Sequence, residues 1–134
     1  MSSANFTPHG MLQISVDNNL VTIEIEGPCN AEFFQLMTAK LSGVREQIDL
    51  NNYTALIVLH GEALATPDAM EYFTSYLKTI SVKAVALNLA LTSTPSTTEQ
   101  VCQRAYREAG INHQFFTDNS KAIKWLRQCM QAEN

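Results

Sequence analysis

An α/β fold with a largely parallel five-stranded sheet and four covering helices is what this sequence predicts, and three observations lead there. Two short segments near the start alternate apolar and polar residues with a period of two. Two later segments, Ala55-Leu56-Ile57-Val58-Leu59 and Lys83 to Leu91, are nearly unbroken apolar runs of strand length. Between and after those runs lie stretches whose apolar residues recur every three or four positions, with capping residues at their starts. Strands that alternate with helices require crossovers, and crossovers make neighbouring strands parallel.

The elements follow in chain order. Met11 to Val16 places Leu12, Ile14 and Val16 on one side, and Val21 to Glu26 sets Val21, Ile23 and Ile25 against Thr22, Glu24 and Glu26. Asp17-Asn18-Asn19 between them tolerates the left-handed backbone of a tight turn, so the chain opens on a hairpin. Gly27-Pro28 stops the second strand, and Asn30 offers an N-cap. Phe33, Met37, Leu41, Val44 and Ile48 then predict one helix over 31–48, with Ser42-Gly43 a weak place within it. The run 55–59 needs cover on both faces and is therefore a central strand. Thr66-Pro67-Asp68 combines a cap, a proline for the first helical position and a carboxylate for the first turn, and Met70, Phe73, Leu77 and Ile80 form the stripe that follows. Ser96-x-x-Glu99 reads as a capping box for the third helix, which carries Val101, Ala105 and Ala109 and stops at Gly110. Gln114 to Thr117 is a short last strand, and Asp118 or Ser120 caps a final helix with Ile123, Leu126 and Met130 inward. The amphipathic hairpin belongs at a sheet edge, with a polar face showing.

Composition narrows the class. With 134 residues, 46% hydrophobic and 16% charged, the chain is the size and make-up of one globular domain, placed at 11–130. Residues 1–10 are polar and read as a flexible leader; Gln131 to Asn134 look similar. Net charge is −4 and the nine Lys and Arg are scattered, which excludes a nucleic-acid footprint. No run approaches the ~20 apolar residues of a membrane span, and the start lacks the basic and apolar regions of a signal peptide. Three cysteines, Cys29, Cys102 and Cys129, are an odd count without ligand spacing, so a reducing, cytoplasmic setting is expected.

The ending carries a resemblance. Phe115-Phe116, Asp118, Ala122 and Trp125-Leu126 resemble the close of the bacterial SpoIIAA-like (STAS/CRAL-TRIO-type) family, where a Phe-Phe strand leads into a helix with Ala-x-x-Trp-Leu. The element order over about residues 11–130 resembles that family too. The resemblance implies a β-α superhelix with a mixed sheet. It also implies a regulatory or protein-interaction role like that of anti-sigma-factor-antagonist modules, in which a serine at the start of the second helix is reversibly phosphorylated. Here that region reads Ala65-Thr66-Pro67-Asp68-Ala69, so the paired serines and glycine are absent and Thr66 is the candidate phospho-acceptor. Capping the helix explains the same hydroxyl. CRAL-TRIO-type members take lipids into an apolar pocket, and Phe34, Leu36, Tyr72 and Tyr76, beside the main stripes, are the residues available to line one.

Parallel strands gather their outgoing loops at one end of the sheet, the usual ligand side of open α/β folds. His60, Glu62, Thr66, Ser93, Thr94, Ser96, Thr97 and Asp118 are expected on that rim. Each hydroxyl there has a capping role as well. A glycine-rich phosphate cradle and a P-loop lysine are missing, so no cofactor is implied. His60 ends one strand and His113 begins another, about 15 Å or more apart at ~3.3 Å per residue, so no metal site is expected. No nucleophile elbow or triad spacing marks a catalytic residue. Trp125 suits the core margin or a homodimer contact. Three functions remain in order: a non-catalytic regulatory or protein-binding domain, a carrier or sensor of a small apolar ligand or lipid, and an acid–base enzyme using His60 with Glu62 or Asp68.

Overall fold

The computed structural model describes residues 11–131. The expected flexible leader at 1–10 and the last residues, 132–134, lie outside them. Strands β1 (Met11–Asp17), β2 (Leu20–Glu26), β3 (Thr54–Gly61), β4 (Val85–Thr92) and β5 (His113–Phe116) form one sheet in the order β1-β2-β3-β4-β5. The first pair is antiparallel and the other three are parallel. Helices α1 (Ala31–Gly43), α2 (Pro67–Leu77), α3 (Pro95–Ala109) and α4 (Asn119–Gln131) follow β2, β3, β4 and β5 in turn. The expected mixed five-stranded sheet with four helices is the fold observed.

The strand order decides where the helices go. Each right-handed crossover steps one strand further in the same direction, so α1, α2 and α3 land on one face. There Val21, Ile23, Ile25, Ile57, Leu59 and Leu87 meet Phe33, Met37, Phe73 and Tyr106 in the main core. The last helix is not a crossover and takes the other face. Leu126 and Ala122 of α4 pack on Leu56, Val58, Ala84 and Ala86 in a second, smaller core. Ala84, Ala86 and Ala122 are fully buried, and their small side chains let helix and strand approach closely. Trp125 packs on Phe116 at the margin of this core, ring centres 5.8 Å apart.

Local chemistry explains the joints. Asn18 and Asn19 both have positive φ, as a two-residue hairpin turn demands. The Asn30 side chain accepts from the Phe33 N–H at 2.8 Å and starts α1. Gly110, at φ 74°, ends α3 in the left-handed conformation. Asp118 rather than Ser120 begins α4, accepting from the Ser120 N–H at 2.8 Å.

Two expected boundaries are corrected. The helix predicted over 31–48 ends at Gly43, where the Val44 N–H turns back to the Leu41 and Ser42 carbonyls. A short 3₁₀ turn, Arg45–Gln47, follows, yet the half-buried Val44 and Ile48 still line the space between helices and sheet, which is why their spacing mimicked a longer helix. The Ser96–Glu99 capping box does not form, because α3 starts two residues earlier than that cap implies, at Pro95 with Thr94 at the cap position.

Candidate functional site

The carboxyl ends of β2, β3 and β4 and the beginnings of α1, α2 and α3 do share one rim. Backbone bonds stitch it shut. Cys29 and Ala65 form a parallel bridge between the β2–α1 and β3–α2 loops. The Cys29 N–H donates to Leu64 O at 2.7 Å, and the Thr66 N–H donates to Cys29 O at 3.2 Å. Gly27 sits where any Cβ would collide with the Glu62 carbonyl, so only glycine permits this closeness. On the next loop pair, Gly61 O accepts from Ser93 N–H at 2.8 Å and from Thr92 Oγ1 at 2.7 Å.

The rim residues divide accordingly. Thr94 Oγ1 lies 2.9 Å from Thr98 Oγ1, which donates to Ala63 O at 3.3 Å, so these hydroxyls bind the rim together. Thr66 is exposed, and its Oγ1 accepts from the Ala69 N–H at 3.3 Å as the α2 cap. Glu62, Ser93, Ser96 and Thr97 are exposed, and Asp118 is engaged at the α4 start. His60 points away from this group, to the sheet face that α4 leaves open. Its Nε2 lies 2.9 Å from Glu24 Oε1, both side chains partly exposed, so Glu24 rather than Glu62 or Asp68 is its partner. Beneath the rim, burial pushes the Cys29 thiol up to about 12, and burial with Cys29 nearby does the same to Cys102. Neither thiol is activated as a nucleophile.

The opposite end of the same helical face is open. There α1 and α2 part over the amino ends of β2, β3 and β4, leaving a cleft of about 140 Å³. Met37, Leu41, Ile48, Ile57 and Phe73 line its depth, with Ala55 on the floor. Arg45, Tyr53 and Tyr76 supply polar groups. Nearer the carboxyl ends the two helices are joined. Phe34 stacks on Phe73 at 4.8 Å, and Thr38 Oγ1, which donates to Gln35 O, lies 3.0 Å from the Tyr72 hydroxyl. Of the four side chains expected to line a pocket, Tyr76 lines this cleft. Phe34 is buried against a smaller internal space, Tyr72 braces the helices, and Leu36 is 40% exposed.

Burial pushes the Tyr53 hydroxyl up to about 12, helped by Tyr76 and opposed by the Arg45 guanidinium. Burial likewise raises Tyr76, again against Arg45. Both phenols therefore stay protonated at neutral pH and remain donors. Sequence reasoning missed Arg45 and Tyr53. The glycine at position 43, which ends α1 early, was the available signal.

One sheet, three helices packed on one face and a fourth on the other define an α/β domain with a stitched carboxyl rim and an apolar cleft at the far end. A solved structure shares this architecture: an uncharacterized protein of the DUF3478 family with a SpoIIAA-like fold, from Shewanella loihica PV-4. It is similar at a TM-score of 0.60 and 19% identity, over 94% of this chain and 99% of that one. The fold is thus SpoIIAA-like, as the Phe-Phe and Ala-x-x-Trp-Leu resemblance implied. No family model and no curated protein matches the chain. No helix among the described residues is long and apolar enough to cross a membrane.

Proposed function

We propose that this chain is a non-catalytic binding domain that carries or senses a small apolar ligand in the cleft between α1 and α2. The observation behind this reading is the cleft itself, about 140 Å³ and mostly apolar in lining. An apolar cavity of about 150 Å³ accepts benzene, so by volume a ligand with about six carbons fits the space. The pairing of His60 with Glu24, on the far face of the sheet from the cleft, supports a structural role for that histidine over an acid–base one. The three free thiols suit a reducing compartment. A regulatory role through a protein partner draws its support from the fold likeness.

The test is native mass spectrometry of protein purified from cells, paired with thermal melting in the presence of hexan-1-ol. Retained small-molecule mass, or a melting temperature that rises with hexan-1-ol and no longer does so in an Ala55→Leu variant that fills the floor, supports the reading. A bare mass across several preparations, together with no response to hexan-1-ol, overturns it.

A further inference from the structure

The polar groups of the cleft say more about what enters it. Arg45, on the 3₁₀ turn after α1, lines the cleft and forms no ion pair among the described residues. Tyr53 and Tyr76 line it too, and their hydroxyls bond to no protein group among the described residues. Two other hydroxyls of the wall are engaged: Thr38 with Tyr72, and the exposed Thr79 with the Tyr76 carbonyl. Arg45 is therefore the one charged side chain lining a mostly apolar space, beside the Tyr53 and Tyr76 phenols and the hydroxyls of Thr38, Ser42 and Thr79, and no carboxylate lines its wall among the described residues. A guanidinium matches a carboxylate in charge and in planar geometry, and phenolic O–H groups donate to the same oxygens. The carbonyl ends of α1 and α2 bring partial negative charge nearby, but a helix end amounts to about half a unit charge, screened by solvent. The full charge of Arg45 outweighs it at contact distance.

We propose that the α1/α2 cleft holds a short amphipathic carboxylate, its head on Arg45 with the Tyr53 and Tyr76 hydroxyls donating, and its hydrocarbon body of about six carbons against Met37, Ile57 and Phe73. This rests on the reading of the cleft as a ligand site and adds the head group. Neutral apolar molecules of equal length fill the same volume but bring Arg45 no counter-charge, so charge is the discriminating property. The high proton affinity of both phenols keeps them donors throughout the neutral range.

The experiment is a methyl-resolved NMR titration of the whole chain with sodium hexanoate and, separately, with hexan-1-ol. It is run on the wild type, on Arg45→Gln and on Tyr53→Phe/Tyr76→Phe. Expected are shifts of the Met37, Leu41 and Ile48 methyls with both probes and about tenfold tighter binding of hexanoate, the worth of one charge-assisted bond pair over a neutral one. In Arg45→Gln the hexanoate preference disappears while hexan-1-ol binding is unchanged. Equal binding of both probes to the wild type, or an Arg45→Gln variant that keeps the preference, overturns the carboxylate assignment and leaves the apolar cleft standing. No movement of those methyls with either probe overturns the cleft reading and this inference with it.

Discussion

Alkaline pH should unfold this protein chiefly through two thiols. Cys29 is 5% exposed and held between strands by its own backbone bonds. Cys102, on α3, faces the same internal apolar space. Both are pushed from 9.0 to about 12, Cys29 by burial and Cys102 by burial with Cys29 beside it. In the unfolded chain these thiols ionise from pH 9 upward, while the folded chain keeps its protons until about pH 12. The unfolded state therefore binds fewer protons across that window. Stability is complete below pH 9 and falls as pH rises toward 12. Each retained proton costs about 1.4 kcal/mol per pH unit. For two thiols the loss by pH 10.5 is about 4 kcal/mol, against a typical total of roughly 5–15 kcal/mol. Burial raises Tyr53, Tyr76 and the fully buried Tyr106 in the same direction, but phenols ionise only from about pH 10 in the unfolded chain, so their part by pH 10.5 is smaller. The measurement is guanidinium unfolding, followed by Trp125 fluorescence under reducing conditions, from pH 8 to 10.5. A Cys29→Ala/Cys102→Ala variant is compared with wild type by the pH slope, so that its own packing loss cancels. Parallel pH curves for the two proteins would refute the assignment of the alkaline loss to these thiols.

Four other outcomes follow from the packing. Leu126→Ala truncates a side chain that α4 buries completely in the small core and should cost about 2–5 kcal/mol in chemical denaturation. Gly27→Ala forces the β2–α1 loop away from the Glu62 carbonyl and should cost about 1–3 kcal/mol, as overpacking does, read as a lower melting temperature. Thr66→Ala deletes the α2 cap and should lose about 1 kcal/mol, with Thr66→Asp restoring most of it. Glu24→Gln weakens a solvent-touched pair with His60 and should change stability by less than about 1 kcal/mol at pH 7; a larger drop would show that the pair does more than decorate the open sheet face.

The legible parts of this fold were those where one residue type admits one backbone. Asn18-Asn19 announced the hairpin turn because both positions need positive φ. The apolar run 55–59 announced a strand covered on both sides, and Leu56 and Val58 do face α4 while Ile57 and Leu59 face the other helices. Thr66-Pro67 announced a helix start that the structure keeps. The end of α1 was not legible, since an apolar side chain can reach the core from a 3₁₀ turn as well as from a helix. Ile48 satisfies the helical period and yet leaves the helix behind. The bulge in β4, where Asn88 pairs with Val58 but Leu91 with His60, was hidden for a different reason. It needs Asn88, whose side chain accepts from the Ala90 N–H at 2.8 Å and donates to Asn119 at 2.6 Å, and that partner arrives from 31 residues away. The cleft combines residues from a turn, a loop and a helix, and no local pattern joins Arg45, Tyr53 and Tyr76.

Why the cleft lies at the amino ends of the strands, and not at the carboxyl rim usual for this kind of sheet, follows from where α1 and α2 are tied. At the rim the Cys29–Ala65 bridge continues the β2–β3 pairing past the strands, so the two helices leave from a single stitched edge. Moving away from that edge, the ties weaken in order: a ring stack at Phe34 and Phe73, then one hydroxyl contact between Thr38 and Tyr72. Beyond them α1 stops at Gly43, and the 3₁₀ turn that carries Arg45 follows. A pair of helices fixed at one end and free at the other opens most easily at the free end. The same stitching that fills the expected site with threonine hydroxyls thus leaves the space between α1 and α2 at the far end, beyond the Phe34–Phe73 stack.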